Sequence, residues 1–117
     1  MNTFPLVNIA LSGLTYKGAS VPVAQIKYEG KIKTYLQHYT YLNQPTYFTD
    51  DEPQAAGSYD TVDIFSTDRD ALTELLPQIK QRLRDAHFTI GGTGPQQYEN
   101  DTQMYHLPIN IYHESEV

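Results

Sequence analysis

The chain has 117 residues, of which 39% are hydrophobic and 19% are charged, a balance typical of globular rather than disordered proteins. This length predicts one domain, residues 1–117, that buries roughly two thirds of the surface exposed in the unfolded chain. The net charge of −6 argues against DNA or RNA as the main ligand, and the absence of cysteine excludes disulfides and thiolate metal sites.

The first segment predicts a short helix. Thr3 can cap it, Pro5 fits its first turn and Gly13 ends it. The residues expected on one side of this helix are Leu6, Val7, Ala10 and Leu11. Because the segment lacks basic residues at its start and is interrupted by Asn8 and Ser12, we expect neither a signal peptide nor a membrane span here.

Two strands are predicted next. Residues 21–28 form an apolar run interrupted by Pro22, and the lysines around Gly30 indicate the solvated tip of a hairpin. Residues 34–42 alternate with a period of two. One face carries Tyr35, Gln37, Tyr39 and Tyr41, and the other carries Leu36, His38, Thr40 and Leu42. Residues 43–45 end this strand, and residues 50–57 predict a polar, mobile loop.

Residues 58–86 predict a strand that runs directly into a capped amphipathic helix. Val62 and Ile64 face one way along the strand, and Tyr59, Thr61, Asp63 and Phe65 face the other. Ser66 or Thr67 supplies the N-cap oxygen, and Asp68 and Asp70 lie in the first turn. An apolar stripe at helical spacing then predicts a main helix over about residues 68–86, formed by Leu72, Leu75, Leu76, Ile79, Leu83 and Ala86.

Pro77 conflicts with that helix, because proline removes a hydrogen bond and clashes with the preceding turn. We expect a kink there or two abutting helical pieces. Beyond the helix, residues 88–90 predict a short strand, residues 91–95 a flexible loop, and residues 104–113 a final strand. Pro108 lacks a backbone donor and predicts a sheet edge or a bulge in that strand.

No residue pattern in the chain predicts catalysis or a cofactor. The four histidines lack metal-ligand spacing, and Gly91 to Gly94 lack the lysine that a phosphate loop needs. No serine lies in a nucleophile elbow. Asp50, Asp51 and Glu52 could attract a hard cation, but a solvated acidic loop or a charged contact with a partner protein explains them better. We therefore expect no enzyme, no metal and no cofactor.

Five segments, in this order and spacing, resemble the small tail-completion proteins of long-tailed bacteriophages, also called tail terminator or tail-to-head joining proteins. The segments are residues 35–39 (YLQHY), 47–52 (YFTDDE), 59–68 (YDTVDIFSTD), 83–88 (LRDAHF) and 98–106 (YENDTQMYH). The resemblance implies one α+β domain, with a small, mainly antiparallel or mixed sheet flanked by two helices.

The resemblance also implies a role in assembly. Copies would form a ring, hexameric in the virion, that caps the head-proximal end of the tail tube and contacts the tube protein and the head connector. We expect this interface to include Tyr47, Asp50, Asp51, Glu52, Tyr98, Glu99 and Tyr105. Sequence-specific nucleic acid binding and membrane contact are not expected, and the protein would be made in the host cytoplasm.

Two other functions are compatible with the sequence. One is another connector component of a phage, such as a head-completion or minor tail protein. The other is a small α+β ligand-binding domain or enzyme, which a deep pocket with convergent polar groups would favour.

Overall fold

A computed structural model of the chain describes residues 4–49 and 52–116. The elements in chain order are α1 (Phe4–Leu11), β1 (Thr15–Tyr16), β2 (Ala19–Ser20), β3 (Val23–Gln25), β4 (Thr34–Thr49), β5 (Glu52–Ser66), α2 (Arg69–Asp85), β6 (Thr89–Thr93), β7 (Gln97–Glu99) and β8 (Met104–Glu116). Strands β1 and β2 pair only with each other. The other six form one sheet in the order β3-β4-β5-β8-β6, with β7 also paired to β8.

Only β3 and β4 are parallel among the described strand pairs, so the sheet is mixed and mostly antiparallel. Together with the two helices, it confirms the predicted α+β class. Neither helix in the described ranges is long and apolar enough to cross a membrane.

The core joins one face of the sheet to both helices. Its fully buried side chains follow the predicted periods, with Leu36, Val62, Ile64, Leu107, Ile109 and Ile111 from the strands and Leu72, Leu75, Ile79 and Leu83 from α2. Helix α1 adds Val7 and Leu11 to the same cluster. The predicted inward side of Leu6 is wrong, because this side chain is 42% exposed. Gly13 follows the helix with a φ of 82°, as a helix stop requires, and Thr3 lies outside the described residues.

Strand β3 is shorter than predicted and does not form a hairpin with β4. It ends at Gln25, and the next residue, Ile26, has a φ of 66° and lies in a three-residue turn where the Lys27 amide donates to the Gln25 carbonyl over 2.6 Å. The chain then passes through residues 26–33 and begins β4 parallel to β3. The hairpin prediction is therefore wrong, although Lys27, Lys31 and Lys33 are exposed as expected.

Strands β4 and β5 form a long hairpin through the region predicted to contain a loop. Residues 43–49 and 52–57 are paired strands, so both the break at 43–45 and the loop at 50–57 are wrong within the described residues. Pro45 pairs with Ala56 and Pro53 with Phe48, beside shifts of register near Tyr47. Proline is tolerated at such irregularities, because an irregular ladder already lacks some of its hydrogen bonds.

The N-cap of helix α2 lies one to two residues later than predicted. Asp68 is the N-cap, and its Oδ1 accepts from the Asp70 amide over 3.1 Å. Ser66 instead accepts from the Asp68 amide through its hydroxyl over 3.0 Å. The helix is continuous from Arg69 to Asp85, so the predicted alternative of two abutting helical pieces at Pro77 is wrong.

The end of α2 is a Schellman motif, in which two amides beyond the helix bond back to its last carbonyls. The His87 amide donates to the Arg84 carbonyl and the Phe88 amide to the Leu83 carbonyl, each over 2.9 Å. His87 has a φ of 69° in the position that glycine usually takes.

Strand β6 includes Thr89 and Ile90, where a short strand was predicted, and continues through residues predicted as a flexible loop. Strand β7 lies beyond that predicted loop, and both strands pair with β8. Residues 91–93 belong to β6, so the loop prediction is wrong there. Pro108 lies in β8, an interior strand, which excludes the predicted sheet edge. Its carbonyl accepts from the Gly94 amide over 2.9 Å, beside the register shift between Ile90 and Thr93. The bulge lies in β6, which has one residue more than β8 between these two pairs, rather than in the strand that contains Pro108.

Candidate functional site

The face of the sheet opposite the core, called the outer face here, carries a row of stacked rings. The aromatic row consists of Tyr28, Tyr35, Phe65 and His106, with successive ring centroids 4.5, 5.2 and 5.2 Å apart. The rings are nearly parallel, with interplanar angles of 30°, 12° and 17°. The row crosses β4, β5 and β8, so it connects segments that are distant in sequence.

Tyr28 reaches the row from the connection between β3 and β4. Its amide donates to the side-chain oxygen of Gln37 over 2.7 Å, and its hydroxyl accepts from the Ile32 amide over 3.1 Å. A Cβ at Gly30 would overlap the end of the Tyr28 ring, so a larger residue there would displace the ring. These contacts hold the connection against the outer face.

His106 lies between two carboxylates at one end of the row. Its Nδ1 is 3.8 Å from Asp63 Oδ1 and its Nε2 is 3.5 Å from Glu99 Oε1. The Asp63 and His106 side chains are 17% and 15% exposed. Thr102 donates its hydroxyl to the other oxygen of Glu99 over 3.0 Å. Each ring nitrogen of His106 therefore faces a carboxylate.

Burial raises the pKa of Asp63, and the neighbouring His106 opposes that shift. Among the described residues, Asp63 Oδ1 and His106 Nδ1 are buried without a hydrogen-bond partner. The two carboxylates lie at opposite nitrogens of the imidazole, so they do not converge on one cation. No group of three potential metal ligands occurs in the described part of the chain.

The structure brings together three of the residues predicted for an assembly interface. Tyr98 and Glu99 lie in β7, and Tyr105 lies opposite Tyr98 in β8 with the ring centroids 4.8 Å apart. Tyr98 is 49% exposed and is therefore available for contact.

The other predicted interface residues lie elsewhere. Tyr47 lies in β4 and Glu52 begins β5, at one end of the hairpin. Tyr105 lies at the other end, because it pairs with Ser66, which in turn pairs with Thr34. The side chains of Tyr47 and Glu52 are outside what the structure describes, as are Asp50 and Asp51 entirely. The predicted interface residues therefore form two separate groups.

Sequence reasoning missed a buried polar cluster on the core face. Asp60 is 1% exposed, and its Oδ1 accepts from the hydroxyls of Thr40 over 2.5 Å and Ser58 over 3.0 Å. His38 lies 3.0 Å from Asn8 of α1 through its Nε2, and burial lowers the pKa of its imidazole. The period of two in β5 places Ser58 and Asp60 on the same face as Val62, so the alternation indicated that these polar side chains face the core.

A second exposed group lies on β4 just beyond the last residue that β3 pairs with. Tyr39, Tyr41 and Leu42 are 41%, 53% and 43% exposed. The register shift between Thr40 and Leu42 explains why Leu42, predicted to share a face with Leu36 and His38, pairs with the outer-face residue Tyr59 instead. This group is apolar, aromatic and uncharged, a composition common at protein interfaces.

A cavity of about 200 Å³ lies beside β1 and β2 and is lined by Tyr16, Ala19, Ser20, Val21, Ile32, Lys33 and Thr34. Its volume is below the range of about 300–1,000 Å³ that is usual for small-molecule sites. This cavity gives little support to a ligand-binding function.

No protein-family model matches the chain, and a comparison with curated proteins found no similar sequence. Its function is therefore inferred from its own residues and geometry.

Proposed function

We propose that the chain is a tail-completion protein of a long-tailed bacteriophage. It caps the head-proximal end of the tail tube and joins the tail to the head connector, acting as a structural protein rather than as an enzyme. We also propose that its copies form a ring, hexameric in the virion, and that each copy presents a small sheet flanked by its two helices.

The main support for this proposal is that segments which carry the resemblance contact one another in the folded chain. Tyr35, Phe65 and His106 come from the first, third and fifth of them, and their rings stack in one row. Glu99 of the fifth segment lies 3.5 Å from His106, and Phe88 of the fourth is buried in the core. Four of the five segments that carry the resemblance thus form one connected part of the fold, whereas the described residues of the second segment, 47–52, lie at the far end of the hairpin.

The charge of the chain supports the same role. DNA passes through the tail during ejection, and a net charge of −6 disfavours its binding to the protein. Tyrosines with half-exposed rings, such as Tyr39 and Tyr98, suit contacts between protein subunits.

The test is deletion of the gene from the phage that encodes the chain, followed by electron microscopy of the lysate. We expect tails of abnormal or variable length, or finished tails that do not join heads. A plasmid copy of the wild-type gene should restore joined particles, and a copy encoding Leu75→Asp should not, because a charge placed in the core unfolds the domain.

The alternatives give different results in that experiment. Normal tails beside heads that lose their DNA would indicate a head-completion protein. Infectious particles of normal shape and number would contradict any role in the tail or the connector.

A further inference from the structure

Tyr98 lies at one edge of the sheet, in the short strand β7. It pairs with Tyr105 of β8, and the two ring centroids are 4.8 Å apart. Tyr105 packs against the hydrophobic core, so Tyr98 lies on the side of the sheet that the helices cover. Strand β7 pairs only with β8 among the described strands, and the Tyr98 side chain is 49% exposed. A large ring held on such a strand is well placed to contact a second protein molecule.

The cavity of about 200 Å³ beside β1 and β2 lies at the opposite edge of the sheet, on the side of β3 and β4. Its wall includes Val21, which precedes β3, and Thr34, which begins β4. Val21 and the neighbouring Tyr16 belong to the hydrophobic core, so the cavity also lies on the side that the helices cover. The other lining residues are exposed and leave the cavity open to solvent; they are Ala19, Ser20, Ile32 and Lys33.

Tyr98 and the cavity lie at the same height along the strands. Tyr98 pairs with Tyr105, which pairs with Ser66. Ser66 in turn pairs with Thr34, which lines the cavity. The ring and the cavity therefore occupy opposite edges of one copy, at equal height and on the same side of the sheet.

We propose that Tyr98 of one copy inserts its ring into this cavity of the next copy. The inference rests on the proposed ring of copies and names the contact that builds it. An engineered apolar cavity of about 150 Å³ binds benzene, so about 200 Å³ is large enough for one phenol ring. Because the two features are level on opposite edges, the same contact repeats by rotation about an axis along the strands, as a closed ring requires.

The charges on the two edges are complementary. Three exposed lysines lie on the connection between β3 and β4, namely Lys27, Lys31 and Lys33. Glu99 and Asp101 follow Tyr98 at the other edge, and residues 85–117 contain no Lys or Arg. Within the described residues, neither the three lysines nor Asp101 forms an ion pair. The register places Glu99 level with Lys33, so insertion of Tyr98 brings opposite charges together at the rim of the cavity.

Contact between two identical edges is disfavoured. Two acidic edges would bring Glu99 and Asp101 of both copies together, and two lysine connections would bring their ammonium groups together. Neither contact fills the cavity with a ring.

The aromatic row orders both edges before copies meet. At one end, the Tyr28 ring lies 4.5 Å from the Tyr35 ring and holds the lysine connection against the sheet. At the other end, His106 lies 3.5 Å from Glu99, the residue after Tyr98. Groups that are already ordered in the free subunit lose less conformational entropy on assembly, which favours a contact between these two edges.

Substitution of Tyr98 tests the contact. In analytical ultracentrifugation, Tyr98→Ala should raise the concentration at which half of the chains assemble by about tenfold or more, because a tyrosine anchor is lost. Tyr98→Phe keeps the ring and should assemble as the wild type does. Tyr39→Ala is the matched control, since Tyr39 is a tyrosine of similar exposure, 41%, on another strand, and it should also assemble normally. Cooperative thermal unfolding of each variant shows that its subunit is folded.

Crosslinking tests the same contact without removal of Tyr98. The chain has no cysteine, and both Ala19 in the cavity wall and Asn100 near Tyr98 are exposed. Chains with both Ala19→Cys and Asn100→Cys, supplied from a plasmid to the deletion phage, should give a ladder of covalent multimers in purified particles treated with a short bismaleimide. Chains with either cysteine alone should remain uncrosslinked. So should a control pair, Thr73→Cys with Asn100→Cys, because Thr73 lies on the exposed side of α2.

Wild-type assembly of Tyr98→Ala would overturn the inference, as would failure of Tyr98→Phe to assemble. An equal ladder from the control pair, or no ladder from the Ala19–Asn100 pair, would also overturn it. Rings that persist in Tyr98→Ala particles that no longer join heads would place Tyr98 on the connector and reject the contact between copies. The gene deletion tests the tail function independently, so this contact can fail while that function stands.

Discussion

Asp68 shows how one side chain connects two parts of the fold. Its carboxylate caps α2 through the Asp70 amide, and it also accepts from the Tyr16 hydroxyl over 2.5 Å and from Lys17 Nζ over 3.0 Å. The Tyr16 hydrogen bond, followed by the Lys17 and Asp70 bonds, lowers the pKa of Asp68 to about 2. Asp68 therefore joins the small β1–β2 sheet to the start of the main helix.

We expect the free energy of unfolding to decrease as the pH falls from 3.8 to about 2, the interval between the ordinary and the folded pKa of Asp68. In this interval the unfolded chain binds a proton that the folded chain does not bind, so the stability that Asp68 contributes above it is lost. Asp68→Asn keeps a capping oxygen but does not titrate. Urea denaturation should show a smaller decrease for this variant.

Asp70→Asn is the control for this pH dependence, since Asp70 is an exposed first-turn carboxylate outside the Tyr16–Lys17 contacts. It should retain the wild-type decrease. Equal decreases in the wild type and Asp68→Asn would show that Asp68 does not control stability in this range.

Hydrophobic periodicity predicted the strands and helices that have one buried face. The alternation of Val62 and Ile64 and the spacing of Leu72, Leu75, Ile79 and Leu83 placed β5 and α2 correctly, because one face of each element is buried. The turns were less predictable. Ile26 and His87 adopt positive φ angles that local preference assigns to glycine, so tertiary contacts rather than propensity set these turns.

Proline, glycine and acidic residues caused the main errors in element prediction. Residues 50–57 and 91–95 have the composition of loops, yet the described parts of both regions include paired strands because neighbouring strands supply their hydrogen bonds. For the candidate site, sequence selected Tyr98, Glu99 and Tyr105, which do lie together. It did not identify the ring row, because stacking of Tyr35, Phe65 and His106 depends on strand register.

Leu75→Ala tests the position of the buried face of α2. Leu75 has no exposed surface, whereas the neighbouring Leu76 is only partly buried. We expect Leu75→Ala to lower the free energy of unfolding by about 2–5 kcal/mol, through lost apolar burial and the cavity left behind. Chemical denaturation measures the change.

Thr73→Ala, on the exposed side of the same helix, should change the free energy of unfolding by no more than about 0.5 kcal/mol. A loss for Leu75→Ala as small as that of Thr73→Ala would mean that a different face of α2 packs on the sheet.

The whole molecule is elongated, with principal extents of 52 × 27 × 24 Å. The long hairpin of β4 and β5, with β8 paired beside it, has strand edges that the two helices and the small core do not cover. The polar segments predicted as loops, residues 50–57 and 91–95, include paired strands where they are described.

The position of β8 also constrains how the protein is made. It is the last of the described strands to leave the ribosome, yet it lies between β5 and β6 in the finished sheet. Until it is synthesised, β5 and β6 lack the partner that joins them, and the Asp63–His106 and Phe65–His106 contacts do not exist. Pairing across this gap is non-local and hence slow. A nascent chain therefore completes its outer face only after β8 has been synthesised.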